Sequence, residues 1–121
     1  MPNVAVGACT DVGRHRALNE DAFLRGERIW VVADGMGGHA AGDVASRMAV
    51  ESLRQLDVGD ELTPAAIAGG VARANAALVG YGLQHPEARG MGTTVTGLAE
   101  VRVGGVAHWA VFNVGDSRVY R

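Results

Sequence analysis

Short apolar runs and turn residues predict strands in the first third of the chain. Residues 4–9 and 22–25 are apolar and rich in β-favouring side chains, and both read as strands. Residues 28–33 form a longer apolar run that reads as a buried strand and ends in front of Asp34. Gly26-Glu27 lies between the second and third runs and predicts a tight turn.

Two later segments have the periodicity of helices. Apolar residues recur every three or four positions over residues 41–56 and 67–81, which is typical of one buried helix face. A break is expected at residues 57–62. Thr63-Pro64 then supplies a good N-cap followed by proline at the first helical position. The second helix is predicted to end before His85 and the proline that follows it.

The last third of the chain predicts antiparallel strands. Residues 94–103 and 106–114 are predicted to be long apolar strands, and Gly104-Gly105 between them is a strong hairpin signal. A turn at 115–117 leads into another predicted strand at 118–121. Strands, then two adjacent helices, then hairpins indicate an α+β layered domain. The last predicted strand has no partner, so we expect the chain to be the N-terminal part of a longer domain.

Composition and charge narrow the class of protein. Hydrophobic residues make up 48% and charged residues 20%, which excludes a disordered tail. The net charge of −2 excludes a strongly basic surface for nucleic acid. Cys9 is the single cysteine, so neither an internal disulfide nor a Cys/His zinc cluster is expected. No signal peptide or membrane-spanning run is recognisable, and the sequence predicts a cytoplasmic protein with Cys9 buried.

Acidic residues lie at the ends of predicted apolar strands at three places, each with two interpretations. Asp34 precedes a glycine-rich run, so it could bind a divalent cation beside a backbone carbonyl or simply cap the next turn. Glu20 and Asp21 are adjacent carboxylates whose mutual repulsion a nearby cation would reduce, and Arg16 could bind a phosphate. The alternative is a solvated loop with a surface ion pair. Asp116 could act as a ligand or as ordinary turn chemistry.

The order of four motifs resembles the metal-dependent protein phosphatases, the type 2C serine/threonine phosphatases, in their bacterial branch. The matching stretches are Arg16 with Asn19-Glu20-Asp21, Asp34 to Ser46, Gly92-Thr-Thr94, and Asn113 to Tyr120. The resemblance implies an antiparallel β-sandwich flanked by helix pairs, in four αββα layers. Residues 1–121 would then be the N-terminal portion of a single catalytic domain, with no separate second domain.

The resemblance also implies a site with two Mn²⁺ or Mg²⁺ ions and an additional third. The implied metal ligands are Glu20, Asp21, Asp34, Gly35 and Asp116. Asp34 would bridge two ions and Gly35 would offer its carbonyl to one. Asp116 would bind the additional ion, and Arg16 would grip the substrate phosphate. Gly92-Thr-Thr94 would have a structural part.

The implied activity is hydrolysis of phosphoserine and phosphothreonine monoesters in proteins by water activated at the two ions. No nucleophilic cysteine is needed. Met36 stands where some members carry a histidine that protonates the leaving alkoxide. His39 is a weaker candidate for this acid, and His15 could lie near the phosphate. Nucleotide binding through the glycine run is disfavoured because the Gly-Lys-Ser/Thr ending is absent.

A catalytically incomplete scaffold remains the alternative interpretation. The resemblance implies that the family's C-terminal half supplies two more aspartates to the metal centre, and residues 1–121 would not include them. The chain could then act as a metal-binding or partner-binding module. Its open sheet edges predict either self-association or cover by a missing C-terminal half.

Overall fold

The computed structural model describes residues 3–59 and 61–121. The elements, in chain order, are β1 (Asp21–Arg25), β2 (Ile29–Met36), α1 (Ala41–Arg54), a 3₁₀ turn (Gln55–Asp57), α2 (Pro64–Gln84), a second 3₁₀ turn (Pro86–Ala88), β3 (Gly92–Thr93), β4 (Val95–Val103) and β5 (Val106–Val114). Neither helix of this described part is long and apolar enough to cross a membrane.

The strands form one antiparallel sheet in the order β1-β2-β4-β5, and the short β3 pairs with the last two residues of β2. The β1–β2 register places Asp21 directly opposite Asp34. The β4–β5 hairpin turns at Gly104 and Gly105, whose φ angles of 57° and 78° suit the left-handed turn that matches strand twist. The α+β prediction and both predicted hairpins are therefore confirmed.

Both helices lie on one side of the sheet, and the core fills the space between the helices and the sheet. Alternate residues of each strand point to this side because side chains alternate across a pleated strand. The buried strand residues are Leu24, Ile29, Val31, Ala33, Val95, Ala99 and Val101. Ala49, Val50 and Leu53 of α1 and Ile67 of α2 pack against them. The Thr63 hydroxyl accepts from the Ala66 amide at 3.1 Å, which confirms the predicted cap of α2.

Asp57 joins the β1–β2 turn to the connection between the helices. Its carboxylate accepts the Glu27 amide at 2.9 Å and the Arg28 amide at 2.8 Å. The Arg28 guanidinium donates in return to the Asp57 carbonyl at 3.2 Å and to the Gly59 carbonyl. The predicted break at residues 57–62 is confirmed for the residues that the structure describes. Asp60 lies outside the described residues.

Two predicted strands and one predicted boundary are wrong. Residues 4–9 and 118–121 are irregular, and several of them line an apolar cavity of about 380 Å³ over the sheet face opposite the helices. A strand needs a free sheet edge beside it, and segments lying over a face have none. Cys9, predicted to be buried, is exposed in this segment. The strand expected to end before Asp34 continues to Met36, because β3 pairs with its end.

The sheet face opposite the helices is apolar and largely open. Phe23, Val32 and Val111 are exposed there, and the rings of Trp30 and Trp109 meet with centroids 6.1 Å apart. The described residues thus supply one sheet and one helix pair of the predicted four-layer arrangement. The carboxylates described next lie where β1 and β2 meet at one end of this sheet.

Candidate active site

Asp21 and Asp34 form the centre of the candidate site. They are opposite each other at the β1–β2 junction, so their side chains emerge on the same face. The pKa of Asp21 is raised above its ordinary 3.8, first because the cleft withdraws its carboxyl from water despite partial exposure of the residue. The charge of Asp34 and a hydrogen bond with it raise that pKa further, and the Arg16 charge lowers it. Two carboxylates held this close favour a shared proton or a shared cation.

Glu20 turns to the opposite side of the strand. It is adjacent to Asp21, and neighbouring side chains in extended chain point to opposite faces. Its Oε2 is buried against Gly42 at the start of α1 and has no hydrogen-bond partner among the described residues. A buried carboxylate oxygen without a partner is costly. Glu20 therefore retains one carboxylate oxygen without a partner on the α1 side of this strand end.

Two glycines allow α1 to approach the strand end this closely. A Cβ on Gly35 would overlap the Gly42 carbonyl oxygen, and a Cβ on Gly42 would overlap Glu20 Oε2. The Gly35 amide also donates to the Glu20 carbonyl at 3.0 Å. The backbone of β2, the first turn of α1 and the Glu20 carboxylate are therefore packed without room for a side chain at either glycine.

The cleft at this end of the sheet is lined by all the predicted metal ligands and by Arg16. Its volume is about 480 Å³, within the range of small-molecule sites. The lining includes Arg16, Glu20, Asp21, Asp34, Gly35 and Asp116, together with Asp11, Asn19, Met36 and Thr94. Met36 is 66% exposed at this cleft. Neither His15 nor His39 is among the residues that line it.

Two lining residues have contacts that the sequence motifs did not reveal. The Asn19 carboxamide accepts the Asp21 amide at 3.0 Å and donates to the Thr10 hydroxyl at 2.9 Å, so it fixes the start of β1. The Thr94 hydroxyl accepts the Asp34 amide at 3.0 Å. Both residues stand in the motifs that carry the family resemblance, but asparagine and threonine are common in turns, and their types alone do not indicate these hydrogen-bond partners.

The segment joining the cleft to α1 is strained. His39 and Ala40 have φ angles of 55° and 61°, in the left-handed region that side chains disfavour. Ala40 is also the N-cap of α1 and offers no side-chain hydrogen bond. Backbone strain of this kind accumulates near functional sites, where the surrounding packing maintains it.

The donor set fits a hard divalent cation with an open coordination sphere. Mg²⁺ and similar ions take carboxylate and carbonyl oxygens and retain several waters. The paired Asp21 and Asp34, the unpartnered Glu20 oxygen and the nearby Gly35 backbone are of this type. Within residues 3–59 and 61–121, no three His, Cys, Asp or Glu side chains form a closed metal-holding cluster. An ion here would therefore need water or further groups to complete its shell.

The raised pKa of Asp21 predicts that this residue lowers the free energy of unfolding of the metal-free chain in a pH-dependent way. Below pH 3.8 the carboxyl is protonated in both folded and unfolded chains and contributes nothing. As pH rises, the unfolded chain ionises first, so stability falls until the folded pKa is passed. We expect Asp21→Asn to raise the free energy of unfolding near pH 7 and to leave it unchanged near pH 3. Urea titrations across this range measure the difference, with the exposed Glu87→Gln as control. An equal gain at both pH values would contradict the assignment.

Comparison with known proteins identifies the family and the fold of this chain. A family profile described as "Protein phosphatase 2C" matches residues 13–121. The serine/threonine protein phosphatase PstP of Mycobacterium tuberculosis is 41% identical over 118 residues, covering 93% of this chain and 22% of that protein. The serine/threonine phosphatase stp of Listeria innocua is 39% identical, covering 92% of this chain and 47% of that protein. The chain thus spans less than half the length of these relatives.

Solved structures show the same relationship. The crystal structure of M. tuberculosis PstP matches with a TM-score of 0.75 at 39% identity, covering 88% of this chain and 44% of that one. The catalytic domain of PstP in complex with two manganese ions matches with a TM-score of 0.76 at 36% identity. The profile match includes Arg16 and all the predicted acidic ligands. With sequence, fold and cleft in agreement, the chain belongs to the protein phosphatase 2C family.

Proposed function

We propose that this chain is the N-terminal portion of a single catalytic domain of a bacterial, cytoplasmic protein serine/threonine phosphatase. The observation that supports this most is the pairing of Asp21 with Asp34 at a cleft that also holds Glu20 and Asp116. Its substrates would be phosphoserine and phosphothreonine proteins. The relatives' names and the two manganese ions in PstP support this choice of reaction and metal.

The proposed site would bind two Mn²⁺ or Mg²⁺ ions, and Asp116 would hold a third. Asp34 would bridge two of them, Gly35 would offer its carbonyl, and Glu20 and Asp21 would bind directly or through water. Divalent ions, when bound, supply water of lowered pKa as the nucleophile and neutralise charge on the phosphoryl group. The chain's own residues hold the ions and orient the phosphate.

Arg16 is proposed to orient the substrate. It lines the same cleft, and its charge is close enough to Asp21 to lower that group's pKa. A guanidinium can bind two phosphoryl oxygens at once. Met36 occupies the exposed position where an acid histidine could stand, so water or another group would protonate the leaving alkoxide.

Hydrolysis is best tested in a chimera, because the chain spans less than half of its relatives. Residues 13–121 would replace the matching segment of the M. tuberculosis PstP catalytic domain. We expect Mn²⁺-dependent release of phosphate from a phosphothreonine peptide, and its loss in the same chimera carrying Asp34→Ala. Glu51→Gln, which removes an exposed carboxylate on α1, should retain activity. A folded chimera that is inactive would favour the incomplete-scaffold alternative, and equal activity with Asp34→Ala would contradict the proposed role of Asp34.

In that chimera, Arg16→Ala is expected to raise the KM for phosphopeptide about tenfold or more, since hydrogen bonds to charged groups contribute about 1.5–3 kcal/mol. The Kd for Mn²⁺ should change much less. Steady-state kinetics and a metal titration measure the two quantities. Arg14→Ala is the matched control, because Arg14 is exposed and does not line the cleft. An equal shift in the Mn²⁺ affinity and KM would contradict the phosphate-binding role.

A further inference from the structure

Thr94 connects the two ends of the candidate site. It lies between β3 and β4, and its hydroxyl accepts the Asp34 amide at 3.0 Å. Its own amide donates to the Asp34 carbonyl at 2.8 Å. The same hydroxyl shares a hydrogen bond of 2.8 Å with the hydroxyl of Ser117, which follows Asp116. One threonine thus holds both the strand end that carries Asp34 and the turn that carries Asp116.

The rest of the Thr94 side chain packs against the same turn. Its methyl carbon would lie 2.7 Å from a Cβ built on Gly115, a glycine with φ of 106°. A side chain at Gly115 would therefore collide with Thr94 and would also strain the backbone. The Asn113 carboxamide donates to the Gly115 carbonyl at 3.1 Å and supports the turn from its other side. Packing and hydrogen bonding both fix the turn relative to Thr94.

We propose that the Thr94–Ser117 hydroxyl pair positions Asp116 relative to Asp34, so that the two carboxylates face the cleft at a set separation. Thr94 and Ser117 are positioning residues in this scheme and do not touch the metal or the phosphate. The hydrogen bond closes a link between β2 and the end of β5, which are not neighbours in the sheet. The metal-binding consequence rests on the proposed function.

The link has a consequence that can be measured without metal. Removing the Ser117 hydroxyl leaves Asp34, its amide and Thr94 chemically unchanged. If the pair couples the two segments, the Asp34 amide should nevertheless lose protection from hydrogen exchange, because Thr94 becomes free to move. We expect Ser117→Ala to speed exchange at Asp34 by about fivefold or more, equivalent to about 1 kcal/mol of lost coupling. Ser117→Thr keeps a hydroxyl and should restore much of the protection.

The second measurement is Mn²⁺ binding by the 121-residue chain, followed by calorimetry. Supporting interactions behind metal ligands are typically worth about 10–100-fold in affinity. We expect Ser117→Ala and Thr94→Val to weaken Mn²⁺ binding about tenfold, and Thr94→Ser to weaken it less because the hydroxyl remains. Thr94→Val keeps the methyl against Gly115, so it separates the hydrogen bonds from the packing.

The outcomes distinguish this proposal from the proposed function. Unchanged Asp34 exchange in a folded Ser117→Ala chain would overturn the coupling. Faster exchange with unchanged Mn²⁺ affinity would reduce the pair to a structural role and overturn the positioning of ligands. If the parent chain binds no Mn²⁺ while exchange at Asp34 responds as expected, the link between the segments stands and the metal site of the proposed function fails.

Discussion

Asp34→Asn is expected to weaken Mn²⁺ binding by more than about 100-fold, since even groups that only support a metal ligand are worth about 10–100-fold. Asparagine keeps the size of the side chain and leaves the backbone bond from the Asp34 amide to Thr94 intact. What it removes is the negative charge that lies opposite Asp21. The fold should therefore survive while the affinity is lost. Calorimetric titration with Mn²⁺ measures the change directly.

The matched control for this prediction is Glu51→Gln. It makes the same change of charge on the exposed surface of α1, where Glu51 pairs with Arg54. Such exposed pairs contribute little, so both stability and Mn²⁺ affinity should stay near those of the parent. Equal Mn²⁺ affinity in the parent and in Asp34→Asn would remove Asp34 from the site.

Gly42→Ala should destabilise the fold, although alanine normally favours a helix. In a free helix the change would gain about 0.8–1 kcal/mol. Here the new Cβ would overlap Glu20 Oε2 and lie 2.8 Å from the Met36 amide nitrogen. Either α1 moves away from β2 or the Glu20 carboxylate is displaced. We expect a net loss of about 2–3 kcal/mol in the free energy of unfolding, typical of an overpacked core.

Gly80→Ala provides the contrasting control for Gly42→Ala. Gly80 lies within α2, and apart from the adjoining helix backbone and its chain neighbours no atom of the described residues lies within 4 Å of the position where a Cβ would stand. This substitution should stabilise the chain by about 0.5–1 kcal/mol through helix propensity alone. Urea unfolding of both variants tests the prediction. A gain in stability for Gly42→Ala would mean that α1 does not press against Glu20 in this way.

The regular elements could be predicted because their signals are local. The Thr63 cap, the proline after it and the Gly104-Gly105 turn act within a few residues, and the structure confirms all three. Residues 4–9 and 118–121 have equally good strand composition, yet they are irregular. A strand depends on a neighbour with free hydrogen-bonding groups, and composition does not reveal whether one is beside it.

The composition of the site could be predicted, but its arrangement could not. The acidic motifs predicted residues that line the cleft, whereas the β1–β2 register is what places Asp21 opposite Asp34. The adjacent Glu20 was expected to act with Asp21, but strand alternation sends it to the Gly42 side. The Thr94–Ser117 bond joins residues 23 positions apart, and no local pattern marks such a pair.

The central claim is that Asp21, Asp34 and the backbone of Gly35 surround a shared divalent ion, with the Glu20 carboxylate on the α1 side of the same strand end. Anomalous diffraction from a crystal of the chain soaked in Mn²⁺ tests it most directly. The account predicts a manganese peak at the β1–β2 junction, with Asp34 oxygens at about 2.0–2.6 Å, the range for hard cations on oxygen. Manganese bound only elsewhere, with no ion at Asp21 and Asp34, would contradict it.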